Sequence, residues 1–193
     1  MEIINYPHST LRHKSKPLRR VDAALHKMVR EMFDLMYEAK GIGLAANQVD
    51  LPFRLFIVNP EGDPEEKDQE HVFINPVLSK AKGGEESEEG CLSLPKLYAP
   101  VRRSKTIVVE AFNLSGEKIS GELDGLLGRV VQHETDHLDG VLFIDRLSPT
   151  AEIEAKESIE EFEYLFQQRC ELGEIPSDKE IAQRLAQLEA EYC

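Results

Sequence analysis

Two histidines stand four residues apart with a glutamate directly after the first, His133-Glu134-x-x-His137, the pattern HExxH. On a helix of 3.6 residues per turn, side chains at i and i+4 lie one above the other, so both imidazoles can grip one metal ion. Glu134 points into the adjoining sector, where its carboxylate reaches a water on that metal and not the metal itself. That is the place of a general base in a hydrolase. The bland alternative is a helix carrying two surface histidines and a solvated acid.

A tetrahedral metal held by two imidazoles is one protein ligand short if its fourth position is to stay open for water. Cys91, in a loop beside Gly90, is the candidate, because a thiol in such a setting ionises when a metal offers its field. Taken alone, a lone cysteine reads as a small buried hydrophobe, and Asp136 and Asp139 compete as oxygen ligands. A closed shell completed by either aspartate would make the metal structural, and an open one would make it catalytic.

The elements that must position these residues follow from periodicity. Leu127, Val130, Val131, Glu134 and Leu138 recur at three- and four-residue spacing, which predicts one dry stripe on the HExxH helix, with Asp124 as N-cap and Gly140 just past its end. Ahead of it, Thr106–Phe112 and Glu117–Leu123 read as a β-hairpin, and Val141–Ile144 reads as a short strand leaving it. A first long helix starts at Asp22, with Leu25, Met28, Val29, Met32, Leu35 and Met36 packing inward and Gly41 past its end. In Gly41-Ile42-Gly43-Leu44-Ala45-Ala46-Asn47-Gln48, two glycines and two alanines in the first six positions remove side-chain bulk, so the backbone can lie close against another element or an extended ligand. It lacks GxGxxG and a P-loop lysine, which argues against nucleotide binding. Phe53–Val58 and His71–Leu78 are β-rich, and residues 83–88 read as a loop leading to Glu89-Gly90-Cys91-Leu92-Ser93. A helix begins at Ser148-Pro149, and Ser177-x-x-Glu180 is a capping box for a last helix striped by Ile181, Leu185, Leu188 and Tyr192.

The chain has 193 residues, 41% hydrophobic and 31% charged, enough for one α+β domain with a substantial core. No run approaches a membrane span, the amino terminus shows no apolar signal core, and three cysteines do not make a disulfide scaffold; a cytoplasmic protein is expected. The net charge of −13 argues against wrapping nucleic acid. Between Glu152 and Glu191 twelve acidic side chains face four basic ones, so residues 148–193 read as an acidic helical extension of a body spanning 1–147. Such a tail should avoid ribosomal RNA and pack on the body or on a second copy, leaving a monomer or a homodimer. The basic cluster Arg12, His13, Lys14, Lys16, Arg19 and Arg20 reads as a solvated loop.

GIGLAANQ, EGCLS and QHETDH, in that order and at these separations, resemble the three signature motifs of the peptide deformylases over roughly residues 1–165. The resemblance implies antiparallel strands around a central HExxH helix, and a metal held by Cys91, His133 and His137. It gives Glu134 as acid and base, and Gln48 with the backbone N–H of Leu92 as oxyanion donors. The implied substrate is the N-formylmethionyl end of a nascent polypeptide, met transiently at the ribosome and deformylated with release of formate. Ile42, Gly43 and Val130 would border the slot for the methionine side chain, and the backbone near Gly43 and Gly90 would pair with the peptide. The family commonly uses ferrous iron and accepts zinc, nickel or cobalt, which suits a thiolate ligand. Arg129 would snorkel along the slot or lie on the surface, and Glu89 would accept an imidazole N–H. Tyr98 stands where some relatives carry arginine, and Asn47 falls at a variable position of the pattern. Two other readings fit HExxH: a zinc endopeptidase with a glutamate ligand from the carboxy-terminal region, and a non-catalytic module binding peptide termini around a structural metal.

Overall fold

A computed structural model describes residues 1–193. The element that organises it is β2, Leu55–Val58, four consecutive apolar residues all buried. Both of its faces are covered, which is why it runs apolar without alternating. Leu55 and Ile57 face helix α1 (Ala23–Glu38) through Leu25, Val29, Met32 and Met36, while Phe56 and Val58 face helix α2 (Gly125–Leu138) through Val130, Val131 and Leu138. Around β2 the sheet has five antiparallel strands in the order β1 (Gly43–Ala45), β2, β3 (His71–Lys82), β6 (Thr106–Phe112), β7 (Lys118–Asp124). A separate two-stranded sheet pairs β4 (Glu85–Cys91) with β5 (Leu94–Arg103). The HExxH helix thus lies between antiparallel sheets, in the α+β arrangement expected.

The helix ends explain the local turns. At the end of α1 the Gly41 N–H bonds Met36 O at 2.8 Å and the Lys40 N–H bonds Tyr37 O at 2.9 Å. This is a Schellman stop, but the left-handed residue is Lys40 (φ 56°), not the expected Gly41. At the end of α2 the expectation holds: Gly140 (φ 73°) takes that position, and its Cα packs against the Arg12 carbonyl, where no side chain fits. Asp124 is the N-cap residue of α2, but its side chain makes no capping bond.

Two stretches differ from the sequence reading. Residues 85–88 are strand, not loop: Glu85, Glu86, Ser87 and Glu88 pair with Arg103, Arg102, Val101 and Pro100, a register in which Glu85 and Glu86 lie opposite arginines. Val141–Ile144 is not a strand; a 3-10 turn covers Phe143–Arg146, with the Asp145 carboxylate accepting from the Leu142 N–H at 2.8 Å. The basic side chains of the amino-terminal segment lie at the surface, as expected, but the segment also buries Leu11 and Leu18, and His13, Lys16 and Arg20 meet Glu189 and Glu191 on the last helix.

Helix α3 (Pro149–Glu171) buries only Ala151 and Ala155, capped by Ser148 as expected. Helix α4 (Asp178–Tyr192) starts at the Ser177/Glu180 capping box and buries Ile181, Leu185, Glu189 and Tyr192 against the amino-terminal half. No helix is long and apolar enough to cross a membrane.

Candidate metal centre and active-site cleft

Three pieces of chain meet at α2. Cys91 ends β4, at the tight turn into β5 where the pairing slips between Gly90 and Cys91. Gln48 sits in a 3-10 turn, Ala46–Val49, that follows β1. The amino-terminal segment holds the two together, with the Ile4 N–H on Gln48 O and the Tyr6 N–H on Ser93 O, both at 2.9 Å.

The Cys91, His133 and His137 donor atoms all lie within 4.8 Å of one another. Cys91 Sγ is 3.3 Å from His137 Nε2. Donors on a tetrahedral ion at ordinary ligand lengths stand roughly 3.5 Å apart, so this set fits one cation with little movement. His133 turns its Nδ1 to the Glu89 carboxylate at 3.0 Å, which leaves Nε2 for the centre. The Glu89 acceptor is therefore where it was expected. Burial alone would lower the pKa of His133, but the neighbouring Cys91, Glu89 and Glu134 outweigh it and raise it. His137 is pushed the other way by burial and by the charges of His133 and Arg103, toward the neutral imidazole that a metal requires.

Asp136 and Asp139 do not join the set. Asp136 is held by Arg103 and Arg146, and Asp139 by Arg54. No glutamate of the carboxy-terminal region joins the two histidines, whose partner is Cys91. The closed shell thereby loses its fourth ligand and the endopeptidase pattern its third.

Glu134 is buried, with Oε2 free of any hydrogen-bond partner, and burial, opposed by the charges of His133 and Arg103, raises it to about 7. Gly43 makes room for it: a Cβ there would overlap the Glu134 carboxylate and come within 2.8 Å of Val130 Cγ1. Similarly a Cβ at Gly41 would strike Leu92, and one at Gly90 would strike the Tyr98 ring at 2.6 Å. The low-bulk motif is thus explained by close packing, as its composition suggested. Gln48 accepts from the Ala45 N–H at 2.8 Å and donates from Nε2 to Ser93 Oγ at 3.2 Å and to Cys91 Sγ at 3.4 Å, which aims its amide at the centre.

A cavity of about 740 Å³ opens beside the donors, and Ile42, Gly43, Gln48, Gly90, Cys91, Leu92, Val130, His133 and Glu134 all line it. Leu126 and Tyr98, both exposed, line it as well; Tyr98 is the position noted above, whereas Leu126 was not singled out. Arg129 lines it too but is not free to snorkel. Its guanidinium donates to Glu89 at 2.7 Å, Val101 O at 3.0 Å and Glu85 O at 2.9 Å, tying β4 and β5 to α2.

Sequence reasoning missed Arg103. It donates to both Glu89 oxygens at 2.6 and 2.8 Å and to Asp136 at 2.7 Å. Burial alone would raise Glu89, but the hydrogen bonds from His133 and Arg103 overcome it and hold the carboxyl at about 2. A signal existed: Leu97, Ala99, Val101 and Arg103 share the inward face of an alternating strand, and a charge there needs buried partners. Asn47 also proves fixed, its amide donating to the His137 carbonyl.

The family model for polypeptide deformylase matches residues 1–152. A peptide deformylase of Rhodopirellula baltica is 46% identical over 192 residues, covering 100% of this chain and 95% of its own length. One from Neisseria gonorrhoeae is 45% identical over 148 residues, 77% of this chain and 87% of its own. The crystal structure of a G41M mutant of Arabidopsis thaliana peptide deformylase 1B superposes with a TM-score of 0.86 at 38% identity, over 92% of this chain and 96% of that one.

Proposed function

The chain belongs to the polypeptide deformylase family, and from that premise we propose how its own residues carry the reaction. Enzymes of this family remove the formyl group from N-formylmethionine peptides in a metal-dependent hydrolysis, and this chain is one of them. Cys91, His133 and His137 hold the metal. Bound there, a divalent ion supplies Lewis acidity at the reacting carbonyl and makes water nucleophilic near neutral pH.

Glu134 takes the proton from the attacking water as the new C–O bond forms at the formyl carbon. The carbonyl oxygen becomes an oxyanion, which the Gln48 amide and the Leu92 backbone N–H receive without titrating. Glu134 then gives its proton to the departing nitrogen as the C–N bond breaks, leaving formate and a free amino terminus. Ile42, Gly43 and Val130 border the methionine slot, and the backbone at Gly43 and Gly90 takes the peptide in strand fashion. The support for that pairing is that β1 is the outermost strand of its sheet.

The observation that carries the reading is the placement of Glu134. Its unpartnered carboxylate oxygen is buried next to three converging donors on the wall of a cavity large enough for a peptide end. The test is formate release from formyl-Met-Ala-Ser by wild type and Glu134→Ala, with metal content measured on both. Turnover should vanish while the metal stays. Loss of the metal, or persistence of turnover, overturns the assignment.

The ion in the cell is proposed to be Fe(II), with Zn(II), Ni(II) or Co(II) able to replace it, because a thiolate with two imidazoles suits each. Anaerobic purification with elemental analysis decides this. We place the enzyme in the cytoplasm as a monomer or homodimer, acting on nascent chains at the ribosome. Residues 1–147 form the catalytic body and 148–193 an acidic extension that does not anchor on ribosomal RNA. Ribosome pelleting of full length against a truncation after Leu147 tests the last point; loss of co-sedimentation on truncation refutes it.

A further inference from the structure

The turn that carries Gln48 is short and ends abruptly. Ala46–Val49 is a single 3-10 turn, stopped by Asp50 in the left-handed region at φ 65°. An L-residue other than glycine holds that conformation at a cost, and Asp and Asn are the types that tolerate it. The Asp50 side chain is pinned from one side by Thr10, whose Oγ1 donates to Oδ1 at 2.5 Å. The other grip comes from 134 residues away in sequence. Arg184 Nη1 donates to the Asp50 carbonyl at 3.0 Å while its other nitrogen pairs with Asp50 Oδ2.

Arg184 lies on α4, and α4 is fixed at its far end. Tyr192 packs on Phe53 with ring centroids 5.0 Å apart, the Arg19 N–H bonds Tyr192 O at 2.9 Å, and Lys16 donates to Glu189 at 2.6 Å. Toward its start the helix is closed by the Ser177/Glu180 box and buries Ile181 and Leu185. A rod held at both ends presents its middle, where Arg184 sits, at a fixed height over the Asp50 corner.

We infer that α4 is a brace for the catalytic amide: Arg184 is a positioning residue that locks the Asp50 corner and so fixes where Gln48 points. The inference rests on the reading of Gln48 as oxyanion donor. Arg184 itself stands outside the cleft, and none of the residues lining the cavity is on α4. Its effect is therefore expected in the chemical step and not in peptide binding, since a donor displaced by a fraction of an ångström loses transition-state stabilisation first.

The experiment measures kcat and KM for a formyl-Met peptide on the full chain as wild type, Arg184→Ala, Arg184→Lys, Asp50→Asn, Gln48→Ala and the Gln48→Ala/Arg184→Ala pair. Metal content is checked for each. Arg184→Ala should lower kcat about fivefold with KM within about twofold, and Arg184→Lys, which keeps one contact, should recover part of it. Asp50→Asn keeps the left-handed corner but loses the ion pair, and gives an independent variant with the same kcat-only loss. In the Gln48→Ala background, removing Arg184 should cost less than about twofold, because the group it positions is gone. Hydrogen exchange at Leu51, whose N–H bonds Ala46 O at 3.0 Å across the corner, should quicken in Arg184→Ala whatever metal is bound. If Gln48→Ala is inactive and Arg184→Ala is not impaired, the brace is wrong and the oxyanion reading stands. If Gln48→Ala itself is unimpaired, the oxyanion reading falls and takes the brace with it. Equal losses from Arg184→Ala in both backgrounds mean general loosening, and overturn the brace alone.

Discussion

Arg103 and Arg184 each grip one acidic residue with two nitrogens, in regions that otherwise have little in common. The Arg103 side chain is 3% exposed and its partner Glu89 6%, whereas Arg184 is 40% exposed and Asp50 25%. Around Arg103, at the junction of β4, β5 and α2, the buried carboxylates are each committed to several protein partners: Glu89 serves His133, Arg103 and Arg129, and Asp136 serves Arg103 and Arg146. Around Arg184, under α4, water can substitute, and contacts steer a helix that apolar burial holds down. The same pair of side-chain types is chemistry in one place and alignment in the other.

The sharpest break in this comparison lies at the junction itself. Glu134→Gln keeps the shape and removes the proposed base, and kcat should fall by about 10²–10⁴ with the metal retained. Steady-state formate release with elemental analysis reads both. A variant within tenfold of wild type would mean that another group handles the proton.

Glu89→Ala should come next, because it leaves the Arg103 and Arg129 guanidinium groups without their common partner. Removing one side of a buried pair costs about 3–5 kcal/mol, visible as a large drop in thermal midpoint. Metal affinity should also weaken by about 10- to 100-fold, since His133 loses the acceptor that orients its ring. A stable variant with unchanged affinity would show that the buried network is no stiffer than the exposed one.

How far these two regions were legible in the sequence differs for a physical reason. The donors announce themselves because HExxH spacing is a local property of one helix, and the low-bulk run from Gly41 to Ala46 shows its need for close approach in its composition. The grips of Arg103 on Glu89 and Arg184 on Asp50 are long-range pairings, 14 and 134 residues apart, and no local pattern encodes them. The acidic stretch 85–88 looked like a loop because its charges are read without their partners. What makes it a strand is backbone pairing with Pro100–Arg103, a long-range partner that its own composition does not show. In the basic amino-terminal segment the partners of Arg12, Lys16 and Arg20 are likewise distant, Asp145, Glu189 and Glu191 lying 133, 173 and 171 residues away.

Smaller and pH-dependent is the contribution of Glu189. Burial pushes its carboxyl up, but Lys16 and His13 overcome this and hold it below the ordinary range. A group whose folded pKa is depressed adds stability above its unfolded pKa and loses it as pH falls through the folded value. Thermal melts should therefore separate wild type from Glu189→Gln near pH 7, and the gap should close below about pH 4. A gap that stays constant through that window would mean that Glu189 acts by packing and not by charge.

The smallest effect is expected on α3, which shares the acidic extension with α4 but lacks its buried stripe. Ile153 is 76% exposed and Leu172, just past the helix end, 74%, while the whole helix buries only two alanines. Single apolar side chains in water are ordinary on protein surfaces and cost little to replace. Ile153→Ser and Leu172→Ser should each shift stability by less than about 0.5 kcal/mol, with kcat unchanged. Sedimentation equilibrium on the same variants adds a sterner measure, because a mass that halves on substitution would make α3 an interface between two copies. In that event its exposed face is covered in solution, and only the Arg103 junction keeps its character.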